Sequence, residues 1–215
     1  GVTCFADIGR YGVAGFEALK KIGLRGVVFQ ETEFCPKNEE AENDFQKLKE
    51  KYLELRETVT PLVRAGLSPH APYTVSRRLF EIIAEYAARE NVMLSVHASE
   101  SKEEIEFLRT GKGFLKDVYR KLSLEWDAPG MGSIEYLSEV GILDAQPLLA
   151  HCVQVSPPEI ELIAKSGARV AHCPKSNAKF GHGVAPLEKF LDKNLRVGFG
   201  SDSVASNNTC DILEE

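Results

Sequence analysis

Three short apolar runs of this chain each deliver a residue able to bind a metal or carry a proton. LSVHASE ends in His97 and Glu100, LLAHC carries His151, and VGFGSD ends in Asp202. His97 and Glu100 lie three positions apart, just past a run with strand character. A neutral imidazole is a good zinc or iron ligand, and a neighbouring carboxylate that does not bind the metal can shuttle protons. Asp202 follows Gly198-Phe199-Gly200-Ser201, where small residues let the backbone pass close to a ligand. A carboxylate there can coordinate a divalent metal or accept a proton from water, whose pKa zinc lowers to about 7. His151 sits in a stretch too apolar for a casual surface histidine, and reads as ligand, orienter or core residue.

Each of these residues also has a plainer reading. A strand-end histidine can be held by a backbone carbonyl, Glu100 can be an exposed carboxylate favoured by a helix dipole, and Asp202 can satisfy its own glycine turn. His172, in VAHCPKSN, is equally well a buried structural residue, and His182, in FGHGVAP, a loop side chain near a pocket mouth. Cys152 and Cys173 directly follow histidines, so strand alternation turns them to the opposite face as packing residues, which leaves little support for a Cys-His nucleophile. No GxSxG elbow, phosphate loop or GxGxxG run supports a serine hydrolase, nucleoside triphosphatase or dinucleotide enzyme.

These residues can meet only if the elements between them alternate. Strands are predicted at Val2–Ile8, Arg25–Glu31, Val63–Ser68, Val92–His97, Leu148–His151, Arg169–His172 and Arg196–Gly200. Helices are predicted at Gly15–Lys21, Glu39–Thr58, Arg77–Glu90, Lys102–Thr110, Ser133–Val140, Pro157–Ser166 and Pro186–Lys193, with a loop from Pro174 to Ala185. Phe45, Leu48, Tyr52 and Leu55 give the second helix its apolar stripe, and Ser76 caps the third, whose stripe is Leu79, Ile82, Ile83 and Tyr86. Ser101-x-x-Glu104 has the pattern of a capping box. Strict alternation argues for a parallel α/β architecture, with an eight-stranded barrel as the nearest regular solution and a doubly wound open sheet as the competitor. One strand is short of that barrel, and the final DILEE reads as a helix beginning without a terminator. No linker interrupts the pattern, so residues 1–215 read as one domain.

Composition sets the remaining bounds. At 215 residues, 43% hydrophobic and 27% charged, the chain has globular proportions, and its net charge of −6 offers no footprint for nucleic acid or an anionic membrane. No apolar segment approaches the roughly 20 residues that cross a bilayer, and GVTCFADIG has no basic leader, so a cytoplasmic location is expected. Five scattered cysteines without a CxxC pair fit a reducing compartment, with neither a disulfide framework nor a cysteine zinc site.

Together the segments SPHAPYTVS (68–76), SVHASE (95–100), the run 148–177, GVAPL (183–187) and GFGSDSVASNN (198–208) resemble the amidohydrolase superfamily. Within it the resemblance is to the chlorohydrolase and aminohydrolase branch that includes S-adenosylhomocysteine/methylthioadenosine deaminases. The resemblance implies a (β/α)8 barrel, here strands 2 to 8, lacking the first strand and the β-sandwich formed by the two chain ends. It implies that His97 and Asp202 are metal ligands, Glu100 the proton shuttle, His151 the orienter of water or substrate, and His70 a substrate contact. One divalent metal is expected, zinc first and iron second, because no lysine stands near His70 to bridge a second ion. The implied reaction adds metal-activated water to a ring carbon of an amino-substituted, adenine-nucleoside-like heterocycle. Asp202 takes the water proton, Glu100 protonates the ring nitrogen, and ammonia leaves.

One departure matters. The family's first two ligands form an HxH pair, and no HxH occurs in this sequence. The expectation is therefore a fragment inactive by itself, from an enzyme that acts on a small heterocycle and needs neither nucleic acid nor membrane. A barrel short of strands would expose apolar surface and favour homo-oligomers. The competing readings are a triazine chlorohydrolase using the same addition and elimination, and a non-catalytic binding protein on a decayed barrel.

Overall fold

Parallel pairing governs the ladders β1-β2-β3 and β5-β6-β7 of the described residues, as the alternation of elements required. The computed structural model describes residues 2–215. In chain order the elements are β1 (Cys4–Gly9), α1 (Gly12–Ile22), β2 (Arg25–Glu31), α2 (Ala41–Glu57), β3 (Val63–Ser68), α3 (Arg77–Glu90) and β4 (Ser95–Ala98). There follow α4 (Lys102–Thr110), α5 (Phe114–Lys121), α6 (Ser133–Glu139), β5 (Leu148–His151), α7 (Pro157–Ser166), β6 (Arg169–His172), α8 (Pro174–Lys179), α9 (Leu187–Asp192) and β7 (Arg196–Phe199). The chain divides into two compact units, Gly1–Val96 and His97–Glu215, with the division inside β4.

In the first unit β1, β2 and β3 form a parallel sheet in that order, Phe29 facing Ile8 on one side and Gly66 on the other. The central strand is covered on both faces, which is why β2 reads as an apolar run rather than an alternation. Helices α2 and α3 pack through Tyr86, whose ring meets Phe45 and Tyr52 edge-on at centroid distances of 5.2 and 6.4 Å. Ser76 caps α3 by accepting the Leu79 N–H at 3.3 Å. Gly66 has to be small: a Cβ there would lie 2.6 Å from the Phe29 ring and 2.8 Å from the Met93 carbonyl.

The second unit carries the sheet β4-β5-β6-β7, with β5, β6 and β7 paired in parallel. Backbone hydrogen bonds continue past the strand ends: Cys152 N–H to Ala98 O (3.0 Å), Gln154 N–H to Ser99 O (2.7 Å) and Gly200 N–H to His172 O (2.8 Å). The segments that follow neighbouring strands are thereby held side by side at the carboxyl edge, where α/β sheets bind ligands.

Several predicted elements are redrawn. The strand predicted from Val92 begins at Ser95, because the Val92 N–H still closes the end of α3 by donating to Ala87 O at 3.0 Å. Two helices occupy segments predicted as irregular. In the excursion after α4, α5 forms because Tyr119 is buried against Phe107, and Trp126 stacks on the same ring at 4.5 Å. In the loop 174–185, Pro174 opens α8 at its first position. The final DILEE is a turn, with Glu214 N–H donating to Asp211 O at 3.1 Å. No helix among the described residues is long and apolar enough to cross a membrane.

Phe107 thus anchors the whole excursion 111–132 to α4. Phe107→Ala is expected to cost about 3–5 kcal/mol in chemical denaturation. It should also shift the emission of Trp126, the only tryptophan, to the red.

Candidate active site

The second unit gathers its candidate functional side chains at the carboxyl ends of its strands. His97 Nδ1 lies 3.2 Å from His151 Nε2, and His151 Nδ1 lies 3.0 Å from Asn177 Oδ1. The Asn177 amide nitrogen faces His172 Nδ1 at 3.4 Å. In this orientation the Asn177 oxygen accepts the His151 Nδ1 proton, so the Nε2 of neutral His151 carries a lone pair and accepts from His97 Nδ1–H. His97 then presents the Nε2 lone pair, the form in which imidazole ligates a metal. Burial lowers the His151 pKa, and His97 lowers it further against the opposing pull of Glu100, Asn177 and Asp202. His172 is lowered too, by burial and then by His151. His151 and His172 therefore stay neutral at pH 7.

Glu100 reaches this pair from the turn after β4. One of its oxygens is 3.7 Å from His151 Nε2 and the other 3.6 Å from His182 Nε2. His182, an ambiguous loop residue by sequence, is thus brought to the same carboxylate, and Gln154 holds its carbonyl through the side-chain amide. Asp202 follows β7 in a left-handed conformation, φ 56°. Its Oδ2 accepts the Ser176 hydroxyl at 2.7 Å and its Oδ1 the Ser203 N–H at 2.8 Å. Burial pushes its pKa up, but Ser176, Ser206, the Ser203 amide and His151 together outweigh that and leave it below the usual value.

His70 belongs to the first unit. Its Nδ1 lies 2.7 Å from Thr74 Oγ1, whose own proton goes to Ala71 O at 3.1 Å, so His70 donates from Nδ1 and offers Nε2 as an acceptor. Its amide is tied to Thr32 Oγ1 at 3.1 Å. Glu31, at the end of β2 and not singled out from the sequence, brings a carboxylate oxygen within 4.8 Å of a His70 ring nitrogen.

Sequence reasoning missed Ser176 and Asn177, which orient Asp202 and His151 from α8. The signal was Pro174, a helix-opening residue inside a segment read as loop. It also misread Glu104. Ser101 does accept the Glu104 N–H at 3.1 Å, but the Glu104 carboxylate goes upstream, to the Ser99 and Glu100 amides at 2.9 and 2.8 Å, and no box closes on Ser101. Cys152 and Cys173 are buried, and their thiols are pushed up by burial, Cys173 to about 12, so they remain protonated packing groups.

The chain is thus a parallel α/β protein whose strand ends bring imidazoles and carboxylates together. The chain matches the model of the Amidohydrolase family over residues 1–215 and belongs to that family. It is 34% identical over its full length to 5-methylthioadenosine/S-adenosylhomocysteine deaminase of Pyrococcus furiosus, covering 47% of that protein. Among solved structures it resembles a zinc-bound adenosine deaminase of Xanthomonas campestris (TM-score 0.80, 25% identity), covering 100% of this chain and 45% of that one. It also resembles a triazine hydrolase of Arthobacter aurescens (TM-score 0.78, 26% identity), covering 99% and 47%. The chain thus spans about half the length of the curated relative it matches.

The donor chemistry suits zinc: an imidazole with its second nitrogen hydrogen-bonded and a carboxylate held ionised, with no thiolate in competition.

The depressed His151 value has a consequence for stability. Below the ordinary value of 6.5 the unfolded chain takes up a proton that folded His151 refuses, so stability present above that pH is lost as it falls toward the folded value. Glu104, whose carboxyl burial raises to about 7, works in the opposite sense over this range, so the test is the difference between variants: in thermal melts of metal-free protein from about pH 7 to 5, His151→Asn should lose less stability than wild type.

Proposed function

We propose that the full-length protein is a metal-dependent aminohydrolase that replaces the amino group of an adenine-nucleoside-like heterocycle with hydroxyl. The observation that carries this reading is the hydrogen-bonded series His97–His151–Asn177 with the Glu100 carboxylate beside it. His97 and Asp202 are the ligands this chain contributes. The remaining ligands come from other parts of the longer polypeptide, since zinc takes three or four protein ligands. In this reading the seven strands are strands 2 to 8 of a (β/α)8 barrel, and residues 1–215 belong to one hydrolase domain within it. The first strand and the β-sandwich lie in the rest of the polypeptide.

Zinc, or iron in second place, supplies Lewis-acid activation of water when bound. The protein's own residues do the rest. Asp202, held ionised by Ser176 and the Ser203 amide, takes a proton from the attacking water. Glu100 delivers a proton to the ring nitrogen as the ring carbon is attacked. His151 orients His97 and stands beside the Glu100 carboxylate. His70, through its Nε2 lone pair, accepts a substrate donor. Asp202 then passes its proton to the amino nitrogen, the C–N bond breaks, ammonia leaves, and the hydroxyl proton returns to Glu100.

Dechlorination of a triazine-like ring by the same addition and elimination is the second reading, favoured by the likeness to the triazine hydrolase.

The test is ammonia release by the zinc-loaded full-length protein from adenosine thioethers, 5′-deoxyadenosine-type and aminofutalosine-type compounds. Turnover should stop on chelation, return with zinc, and fall about 10²–10⁴-fold in Glu100→Gln. Chloride release from a halogenated triazine, with ammonia from no amino-heterocycle, would move the assignment to the chlorohydrolase. No turnover of either kind would favour a binding protein.

A further inference from the structure

Glu104 is the buried acid for which the proposed reaction has no use. It sits on the first turn of α4, 1% exposed, and among the described residues no cation pairs with it. Removing a carboxylate from water is costly unless donors replace the solvent. Three do so. One oxygen accepts the Ser99 N–H at 2.9 Å together with the Ser133 hydroxyl, and the other accepts the Glu100 N–H at 2.8 Å.

We propose that Glu104 is the positioning residue for Glu100, gripping the two amides of the turn from which Glu100 reaches His151 and His182. This rests on the role of Glu100 proposed above.

Two observations separate this from ordinary helix capping. Ser99 is fully buried and left-handed, φ 52°, a conformation that is unfavourable for a non-glycine residue and persists only where the surroundings over-determine it. The clamp falls on the two peptide groups either side of that residue. In addition, the residue that supplies the third donor opens α6, and α6 is held a second time by a similar carboxylate. Glu159, fully buried, accepts the Ile134 N–H at 3.2 Å and the Ser156 N–H and hydroxyl at 2.9 and 2.7 Å. The start of α6 is therefore joined through one buried acid to the turn after β4 and through the other to the segment after β5. The first turn carries Glu100 and the second follows His151. The Cys152 thiol, raised first by burial, is raised further by Glu104 and Glu159, so both acids act at the same strand end.

The test is a double-mutant cycle on the zinc-loaded full-length protein. Glu104→Gln keeps the volume but sets an amide donor against a backbone N–H. It should lower kcat by about 10²-fold, the scale set by misplacing a reacting group. KM and zinc content should change little, while melting should fall, since one buried amide loses its acceptor. Added to Glu100→Gln, it should cost nothing further, because a residue acting only through Glu100 has nothing left to act on. Hydrogen exchange at the Ser99 and Glu100 amides should accelerate. Ser133→Ala, which removes one donor and leaves both amide bonds, is the milder variant should Glu104→Gln fold poorly. It should lower kcat less, and again without further loss on top of Glu100→Gln. Losses that multiply with Glu100→Gln, or wild-type kcat in Glu104→Gln, would overturn the positioning role. Wild-type kcat in Glu100→Gln alone would overturn the Glu100 reading and this proposal with it, and the single variant shows which has failed.

Discussion

The hydrogen bond between His97 Nδ1 and His151 Nε2 is the constraint on which the second unit's chemistry turns. Two neutral imidazoles can share one proton in either direction, and the choice propagates along the series. Asn177 sets the direction here, because its oxygen accepts from His151 Nδ1 while its nitrogen faces His172. The result is a polarity in which His97 donates from Nδ1 and carries its lone pair on Nε2. Burial then works in the same sense, since desolvation keeps His151 neutral where a protonated ring could not accept from His97.

Holding such a series requires strand ends that do not simply run on as extended chain. Eight described non-glycine residues have positive φ, and four of them are Ser99, His151, Cys152 and Asp202, at the carboxyl ends of β4, β5 and β7. Backbone strain concentrated there is offset by the hydrogen bonds that cross between neighbouring segments and by the buried acids Glu104 and Glu159. Side chains that would otherwise follow strand alternation are re-aimed. That is why both His151 and the next residue, Cys152, are buried.

The principal site residues were legible because each ends a short apolar run, and a parallel sheet collects such ends on one edge. His97, Glu100 and His151 come together as that pattern implied, and Asp202 stands after β7 with its carboxylate held by α8. What the sequence hid lies in local competition between elements. Segment 174–179 looks like loop because a proline and polar residues fill it, yet Pro174 is in a helix-opening position, and Ser176 and Asn177 depend on that helix. Ser101-x-x-Glu104 has the letters of a capping box, but the Ser99–Glu100 amides outcompete Ser101 for the carboxylate. The strand after α3 starts late because Val92 still serves the helix end.

The polarity of the histidine series can be read directly. Long-range nitrogen-15 correlation spectra of the imidazoles in the full-length protein distinguish protonated from unprotonated ring nitrogens. The account predicts protons on Nδ1 of both His97 and His151, with Nε2 unprotonated in each. A proton on His151 Nε2, with His97 Nδ1 bare, would contradict it.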